Sequence, residues 1–215
     1  MDRIDQLNAD HLPVAAPPAR IACLDPPYGP DVEALLFGIT SRTSPREPLK
    51  LFRLVARDQP LCDLMFRLGR FMLGRNTAVA AGYDTRTREL VIDRVTARCG
   101  CEYEWGVHMA AYRKEAGITA AQAYSLVYGT SADLCWFAED RATLSFVDDL
   151  HDTGHVSDAV WAEMSARFSD ETLIELLVLV GWYHTISYLA SGTRTERESW
   201  AHRFPEDVRS PEGVR

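Results

Sequence analysis

Along most of this chain apolar positions recur at helical spacing, and glycines, prolines and short polar runs cut them into helix-length pieces. Leu51, Leu54 and Val55 open the pattern from Leu49 onward. Asp58-Gln59-Pro60 punctuates it, with Pro60 suited to a first helical turn. The next piece, Leu61 to about Leu73, would turn Leu61, Leu64, Met65, Leu68 and Met72 inward, and Gly74-Arg75-Asn76 ends it. After Gly82, Asp84 or Thr85 can cap a helix from about Arg86 to Arg98, whose apolar set is Leu90, Val91, Val95 and Ala97. Gly100 breaks that helix. A further one runs from about Cys101 to Ala116, where Gly117 stops it. Thr119-Ala120-Ala121-Gln122 is a capping box and starts the next, over Ala120 to about Val127. Three more follow, over Trp136–Leu150, Asp158–Phe168 (capped by Ser157) and Glu171–Leu189 (capped by Asp170). The last is strongly apolar, with Leu173, Ile174, Leu176, Leu177 and Val178 in sequence. No strand-type alternation stands out, so the expected fold is all-α, in one domain.

The ends read differently. Residues 1–30 form an arm with Pro13, Pro17, Pro18, Pro26, Pro27 and Pro30, too many prolines for a helix. Asp31 caps a short helix to about Ile39, and a polar loop from Thr40 to Pro48 carries Arg42 and Arg46. The helical domain is expected over residues 31–192. Residues 193–215 form a charged tail, expected to be loose or draped on a neighbour.

Composition narrows the function. At 215 residues, 47% hydrophobic and 25% charged, the chain can bury an ordinary core. A formal charge of -8 without a Lys/Arg cluster argues against nucleic acid as a partner. The polar start, Met1-Asp2-Arg3-Ile4-Asp5-Gln6, has no signal-peptide run, and no segment approaches the roughly 20 apolar residues that span a bilayer. The expectation is a soluble cytoplasmic protein with no membrane partner. Five scattered cysteines, an odd number, do not look like a disulfide framework.

The densest chemistry lies in Cys99-Gly100-Cys101-Glu102-Tyr103-Glu104-Trp105-Gly106-Val107-His108. Helical from Cys101 onward, it would place Cys101, Glu104, Trp105 and His108 on one face, where a core stripe would normally carry Leu, Ile or Val. Glu104 and His108, four apart, can share a proton and serve enolisation, decarboxylation or lactone isomerisation, or be an ordinary polar pair. If the chain hairpins at Gly100, Glu89 would face His108. Two carboxylates around one imidazole would raise its pKa and push one carboxylate toward its protonated form. Otherwise Glu89 is a carboxylate placed by the helix dipole. Cys101 lies near a helix N-terminus, which stabilises a thiolate, and Cys99 is two residues away; both would otherwise be buried as small apolar groups. Glu89, Glu104 and His108 are metal-ligand types, but the motif has no second histidine at helical spacing, so no metal is assigned. Tyr103 and Trp105 read as pocket wall or core, and His184 either approaches the site or is a core histidine. His151 and His155 flank a turn and read as solvated.

Arg88-Glu89-Leu90-Val91-Ile92 together with Cys101–His108 resembles the carboxymuconolactone decarboxylase / alkylhydroperoxidase D (AhpD-like) family. Leu51–Arg57 looks like the family's upstream helix. Asp140-Arg141-Ala142, Val156-Ser157-Asp158 and Gly181-Trp182-Tyr183-His184 look like its downstream landmarks. The resemblance covers roughly residues 20–190. It implies an AhpD-like all-helical domain with a helix-hairpin site near a subunit interface, and homo-oligomers from dimer to hexamer. It implies a small-molecule substrate and no cofactor. In the family's peroxidase wing, a Glu is followed by Cys-x-x-Cys and a His, which fall here on Glu89, Cys101, Glu104 and His108. Glu104 thus replaces the sulfur that attacks peroxide, and the chain is closer to the decarboxylase wing. The resemblance therefore makes Glu89, Cys101, Glu104 and His108 the catalytic candidates, with Tyr103, Trp105 and His184 as substrate-binding candidates. The expected activity is cofactor-free proton transfer on a small carboxylated or lactone substrate. The alternatives are a thiol peroxidase of peroxiredoxin type using Cys99 and Cys101, and a non-catalytic small-molecule-binding oligomer. Arg94, Arg98 or an arginine of another subunit would clamp a substrate carboxylate.

Overall fold

The computed structural model describes residues 17–39, 47–74 and 82–206. Most of the expected Thr40–Pro48 loop, the first half of the arm, the stretch after Gly74 and the end of the tail lie outside the described residues. Among the described residues there is no strand. The helices are α1 (Pro30–Ile39), α2 (Lys50–Val55), α3 (Gln59–Met72), α4 (Thr85–Arg98), α5 (Glu102–Tyr112), α6 (Ala120–Tyr128), α7 (Ala138–Thr153), α8 (Asp158–Ser165) and α9 (Asp170–Thr193).

α4 is the hub, packed against α5, α6, α7 and α9. Its sequence, TRTRELVIDRVTAR, is far too polar for an ordinary central helix, yet residues 87–96 are all buried. Pairing makes this tolerable. Arg86 grips Asp140 with a two-point bond (2.9 and 2.7 Å), Arg94 grips Asp148 in the same way (2.7 and 2.8 Å), and Arg98 meets Asp152. Each of these three arginines pairs with an aspartate 54 residues later on α7, so the two helices run parallel in fixed register. Bidentate guanidinium–carboxylate pairs of this kind are directional as well as strong. Asp84 caps α4 by accepting from Thr87 N at 2.7 Å.

Gly100 ends α4 with φ +64. Gly100 N–H donates to Ala97 O (2.9 Å) and Cys101 N–H to Thr96 O (2.8 Å). That is a Schellman turn, and glycine supplies its left-handed residue without steric cost. The turn folds α5 back on α4. The capping box at Thr119 and Gln122 starts α6 as the sequence predicts.

Three expectations are corrected. α3 turns Cys62, Met65, Phe66 and Gly69 toward a cavity, leaving Leu61 and Leu64 45% and 59% exposed. The contact with α1, where Cys62 packs with Leu36 and Ala56, sets this rotation. α9 is, by length and composition, apolar enough to cross a bilayer, which the sequence reading did not find. One side of it is core (Leu173, Leu176, Leu179, Val180), and Ile174, Val178 and Tyr188 are exposed on another. Finally, the tail is not loose over residues 195–206. Glu198 accepts from Lys50 N (2.6 Å) and from the Tyr103 hydroxyl (2.9 Å), and Phe204 N donates to Glu102 (2.9 Å).

The tail meets α5 at Gly106, whose carbonyl accepts from His202 N at 3.1 Å. A Cβ on Gly106 would lie 2.1 Å from the His202 carbonyl oxygen. Backbone on both sides leaves no flexible group to yield. Gly106→Ala is expected to cost at least about 1–3 kcal/mol. A lower melting temperature, with faster proteolysis in residues 199–206, would show it; an unchanged melt and unchanged cleavage would refute this account of the contact.

Candidate functional site

The Gly100 hairpin sets Glu89 of α4 against His108 of α5. Glu89 is fully buried, and His108 Nδ1–H donates to its Oε2 at 2.7 Å. The other Glu89 oxygen accepts from Arg88 Nε, also at 2.7 Å. Arg88 is held in turn by the Leu73 carbonyl (2.9 Å) and lies 4.9 Å over the Tyr112 ring. On the far side of the imidazole, Nε2 faces the Tyr183 hydroxyl at 3.1 Å and Glu104 Oε1 at 3.4 Å. The Glu104 contact is long for a hydrogen bond, though close enough for charge to matter. Glu104 Oε2 is buried and has no hydrogen-bond partner among the described residues.

These side chains open onto a cavity of about 380 Å³. His108, Glu104, Tyr112 and Tyr183 form its polar patch, against apolar walls that include Phe52, Met65, Phe66 and Ile186. α2 and α3 supply one wall, α5 and α9 the other. A mostly apolar cavity with a few convergent polar groups is the usual form of a small-molecule site.

Electrostatics sharpen the assignment. Burial alone would lower the His108 pKa, but Glu89 and then Glu104 outweigh it, so the imidazole is held well above its ordinary value. The two carboxylates therefore favour the imidazolium form, with Nδ1 on Glu89 and Nε2 facing Tyr183 and Glu104 on the cavity side. The carboxyl pushed toward its neutral form is Asp93, fully buried one turn after Glu89. Burial raises it first, and the Glu89 and Glu104 charges add to this. Burial also keeps Tyr183 a neutral phenol, reinforced by Glu104 and Glu89.

Asp93 gives a direct test. Its folded pKa lies above the ordinary 3.8. Its contribution thus favours folding below that pH and is lost as pH rises through the folded value. Asp93→Asn, a neutral mimic, is expected to raise the melting temperature at neutral pH by about 2–4 °C. The gain should shrink toward pH 4. Destabilisation at neutral pH in thermal melts would refute the neutral assignment.

Not all the sequence candidates converge. Cys101 is the N-cap of α5, with φ -89 and ψ 79, so the helical-face spacing does not apply to it. Its thiol is buried in the main core rather than lining the cavity, and burial raises its pKa. Cys99 is half-buried, also raised by burial, with the Ser187 hydroxyl and Arg98 acting the other way. Cys62 does line the cavity, but burial, with Asp63 and Asp58, pushes it up to about 12. Tyr103 is a strut: its hydroxyl donates to Glu198 and accepts from Leu51 N (3.0 Å). Trp105 packs in the second core cluster, with its ring edge against Phe204. His184 points away from the cavity to His151, its Nε2 lying 3.0 Å from His151 Nδ1. Burial, then Arg98 and His184, lowers the His151 pKa. Arg94 and Arg98 are bound to aspartates of α7, whereas Arg70 of α3 lines the cavity.

The sequence marks Tyr183 only as part of a family landmark, and it marks neither Asp93 nor Arg70 as a site residue. Asp93 carried a usable signal, since it lies four residues after Glu89 and so on the same helical face. Tyr183 sits beside the sequence candidate His184, and one step along a helix turns a side chain by about 100°. Arg70 carried none.

Residues 68–149 match the Carboxymuconolactone decarboxylase family. No curated protein matches the chain. Among solved structures, a protein of unknown function from Agrobacterium tumefaciens, ATU0492, considered an AhpD-type antioxidant defence protein, superposes with TM-score 0.57 at 17% identity, covering 67% of this chain and 94% of that one. The debrominase Bmp8, in its apo form, gives TM-score 0.66 at 12% identity over 84% of this chain and 92% of its own. A cysteine-to-alanine variant of Bmp8 in complex with 2,3,4-tribromopyrrole gives TM-score 0.68 at 11% identity over 86% and 95%. At these identities the likeness is one of fold.

Proposed function

We propose, from the match of residues 68–149 to the carboxymuconolactone decarboxylase family, that the protein is an enzyme moving protons on a small carboxylated or lactone substrate, with His108 and Glu104 as its acid and base. The observation that carries this reading is Glu104. It occupies the position that the attacking sulfur holds in the thiol peroxidases of the resemblance, it lines the cavity, and one of its oxygens is buried without a partner among the described residues. A carboxylate so placed is directed at whatever enters. His108, charged and pinned through Nδ1 by Glu89, presents Nε2–H on the same side. A proton taken from substrate carbon by Glu104 and one delivered by His108 to carbon or oxygen balance an isomerisation. In a decarboxylation, the C–C bond to the carboxylate breaks, carbon dioxide leaves with the carboxylate carbon, and His108 protonates the carbanion equivalent. Arg70, an exposed lining residue, is the cation placed to meet a substrate carboxylate.

Thiol chemistry is the second reading, favoured by two free cysteines, Cys99 and Cys101, that flank the Gly100 turn. One experiment separates the two. The purified protein is offered a panel of small carboxylates and lactones, and separately a peroxide, with thiols followed by intact mass. Proton-transfer chemistry predicts turnover that survives Cys101→Ser, and thiols at Cys99 and Cys101 that stay reduced. A peroxide-dependent Cys99–Cys101 disulfide, with turnover lost in Cys101→Ser, would overturn it.

A further inference from the structure

On the face of the bundle formed by α4, α7 and α9, outside the cavity, Cys99, His151 and His184 come together. Cys99 is the C-cap of α4, His151 lies in the last turn of α7, and His184 lies in the second half of α9. One donor atom from each lies within 4.8 Å of the other two, and all three residues are half-buried. We infer that this cluster is a binding site for one zinc-class divalent cation, independent of the Glu104–His108 chemistry.

The hydrogen bonds carry the argument. A carbonyl oxygen only accepts, so the 2.9 Å contact between His184 Nδ1 and Val180 O fixes the proton on Nδ1. His184 Nε2 is then a bare lone pair directed at the cluster. A backbone carbonyl holding the far nitrogen is the usual outer-shell support of a metal-ligating histidine. His151 Nδ1 sits 3.0 Å from that lone pair. In the absence of an ion it donates its N–H across this gap. When His151 carries its proton on Nε2 instead, two lone pairs and a sulfur converge on one point, an arrangement that a cation stabilises.

The donor chemistry selects the ion. One thiolate and two imidazoles suit zinc, cobalt or copper, whereas magnesium and calcium take oxygen ligands. Three protein ligands leave a fourth position for water. With metal–ligand bonds of about 2.0–2.3 Å, the widest donor pair must close by roughly an ångström, a rotamer-scale adjustment. On binding, the Cys99 S–H bond breaks, its proton goes to solvent and its electron pair to the metal, with no change of oxidation state. Arg98 lies close by, but Asp148 and Asp152 engage its guanidinium.

The test uses the full chain after chelator treatment. Isothermal titration and native mass spectrometry are expected to show one zinc ion per chain. Cobalt loading should add a near-ultraviolet thiolate-to-cobalt band, and zinc should protect Cys99 from alkylation, as mapped by peptide mass. These three readouts need no variant. His184→Gln is expected to weaken zinc binding by more than about a hundredfold, and Cys99→Ser to abolish the cobalt band. A stripped wild-type protein that takes up no zinc would overturn the site and leave a plain His–His hydrogen bond beside a thiol. So would unprotected Cys99, or zinc affinity equal in wild type, His184→Gln and Cys99→Ser.

Discussion

Glu104→Gln is expected to lower kcat by about 10²–10⁴-fold on whichever carboxylate or lactone the protein turns over, with KM little changed. Glutamine keeps the shape and the hydrogen-bonding oxygen and removes only the base. The Glu104 carboxylate is buried beside the cavity with Oε2 unpartnered among the described residues, so its loss breaks no hydrogen bond of Oε2 within the fold. A structural role would instead lower stability and raise KM. Melting temperature and the two kinetic constants measured together distinguish these outcomes. The pH profile adds a second check. The proposed chemistry uses His108 as an acid, and its pKa is held up by Glu89 and Glu104 against burial. Activity should therefore persist through neutral pH and fall as pH rises through the elevated His108 value. A profile that instead rises there would mean that the neutral imidazole is the working form, and the assignment of acid and base would be reversed.

The centre of this site is legible in the sequence because its parts are close along the chain. Gly100 announces a turn, a turn between two helices brings α4 against α5, and the Glu89–His108 contact follows from that. Helical spacing does not place Cys101, because that residue caps α5 instead of belonging to it, and only helical residues share a helical face. Leu61 and Leu64 are exposed against their periodicity because α3 answers to α1 and to the cavity, which no local pattern records. The central place of α4 was hidden for a deeper reason. Hydropathy scales treat Arg86, Arg94 and Arg98 as surface residues, yet each meets an aspartate of α7 at the same offset. That offset was present in the sequence as two matching charge patterns, Arg86, Arg94, Arg98 and Asp140, Asp148, Asp152. A pattern of that kind becomes legible only when distant segments are compared for complementary charge, since neither segment alone departs from what an exposed helix would show.

Glu89→Gln is expected to destabilise the protein by about 3–5 kcal/mol, or roughly 2–4 °C of melting temperature per kcal/mol for a chain of this length. Glu89 is fully buried between two cations, Arg88 and the His108 imidazolium, each at 2.7 Å. Without its charge, Arg88 retains the Leu73 carbonyl and the Tyr112 ring, but His108 loses the largest influence holding its proton. The pH dependence identifies the cause. In the wild type, the folded His108 pKa lies above the ordinary 6.5. Its contribution is fully present below that value and is lost as pH rises through the folded one. In Glu89→Gln the folded pKa falls back, and burial pushes it further down. The loss of stability at alkaline pH that His108 causes in the wild type should then flatten. Chemical denaturation across pH 5–9 would measure this. If the variant is destabilised equally at every pH, Glu89 acts through packing and hydrogen bonding alone, and His108 is neutral in the folded protein. If the slope flattens and kcat falls with it, the buried Arg88–Glu89–His108 chain is what keeps a proton available on the cavity side of the imidazole.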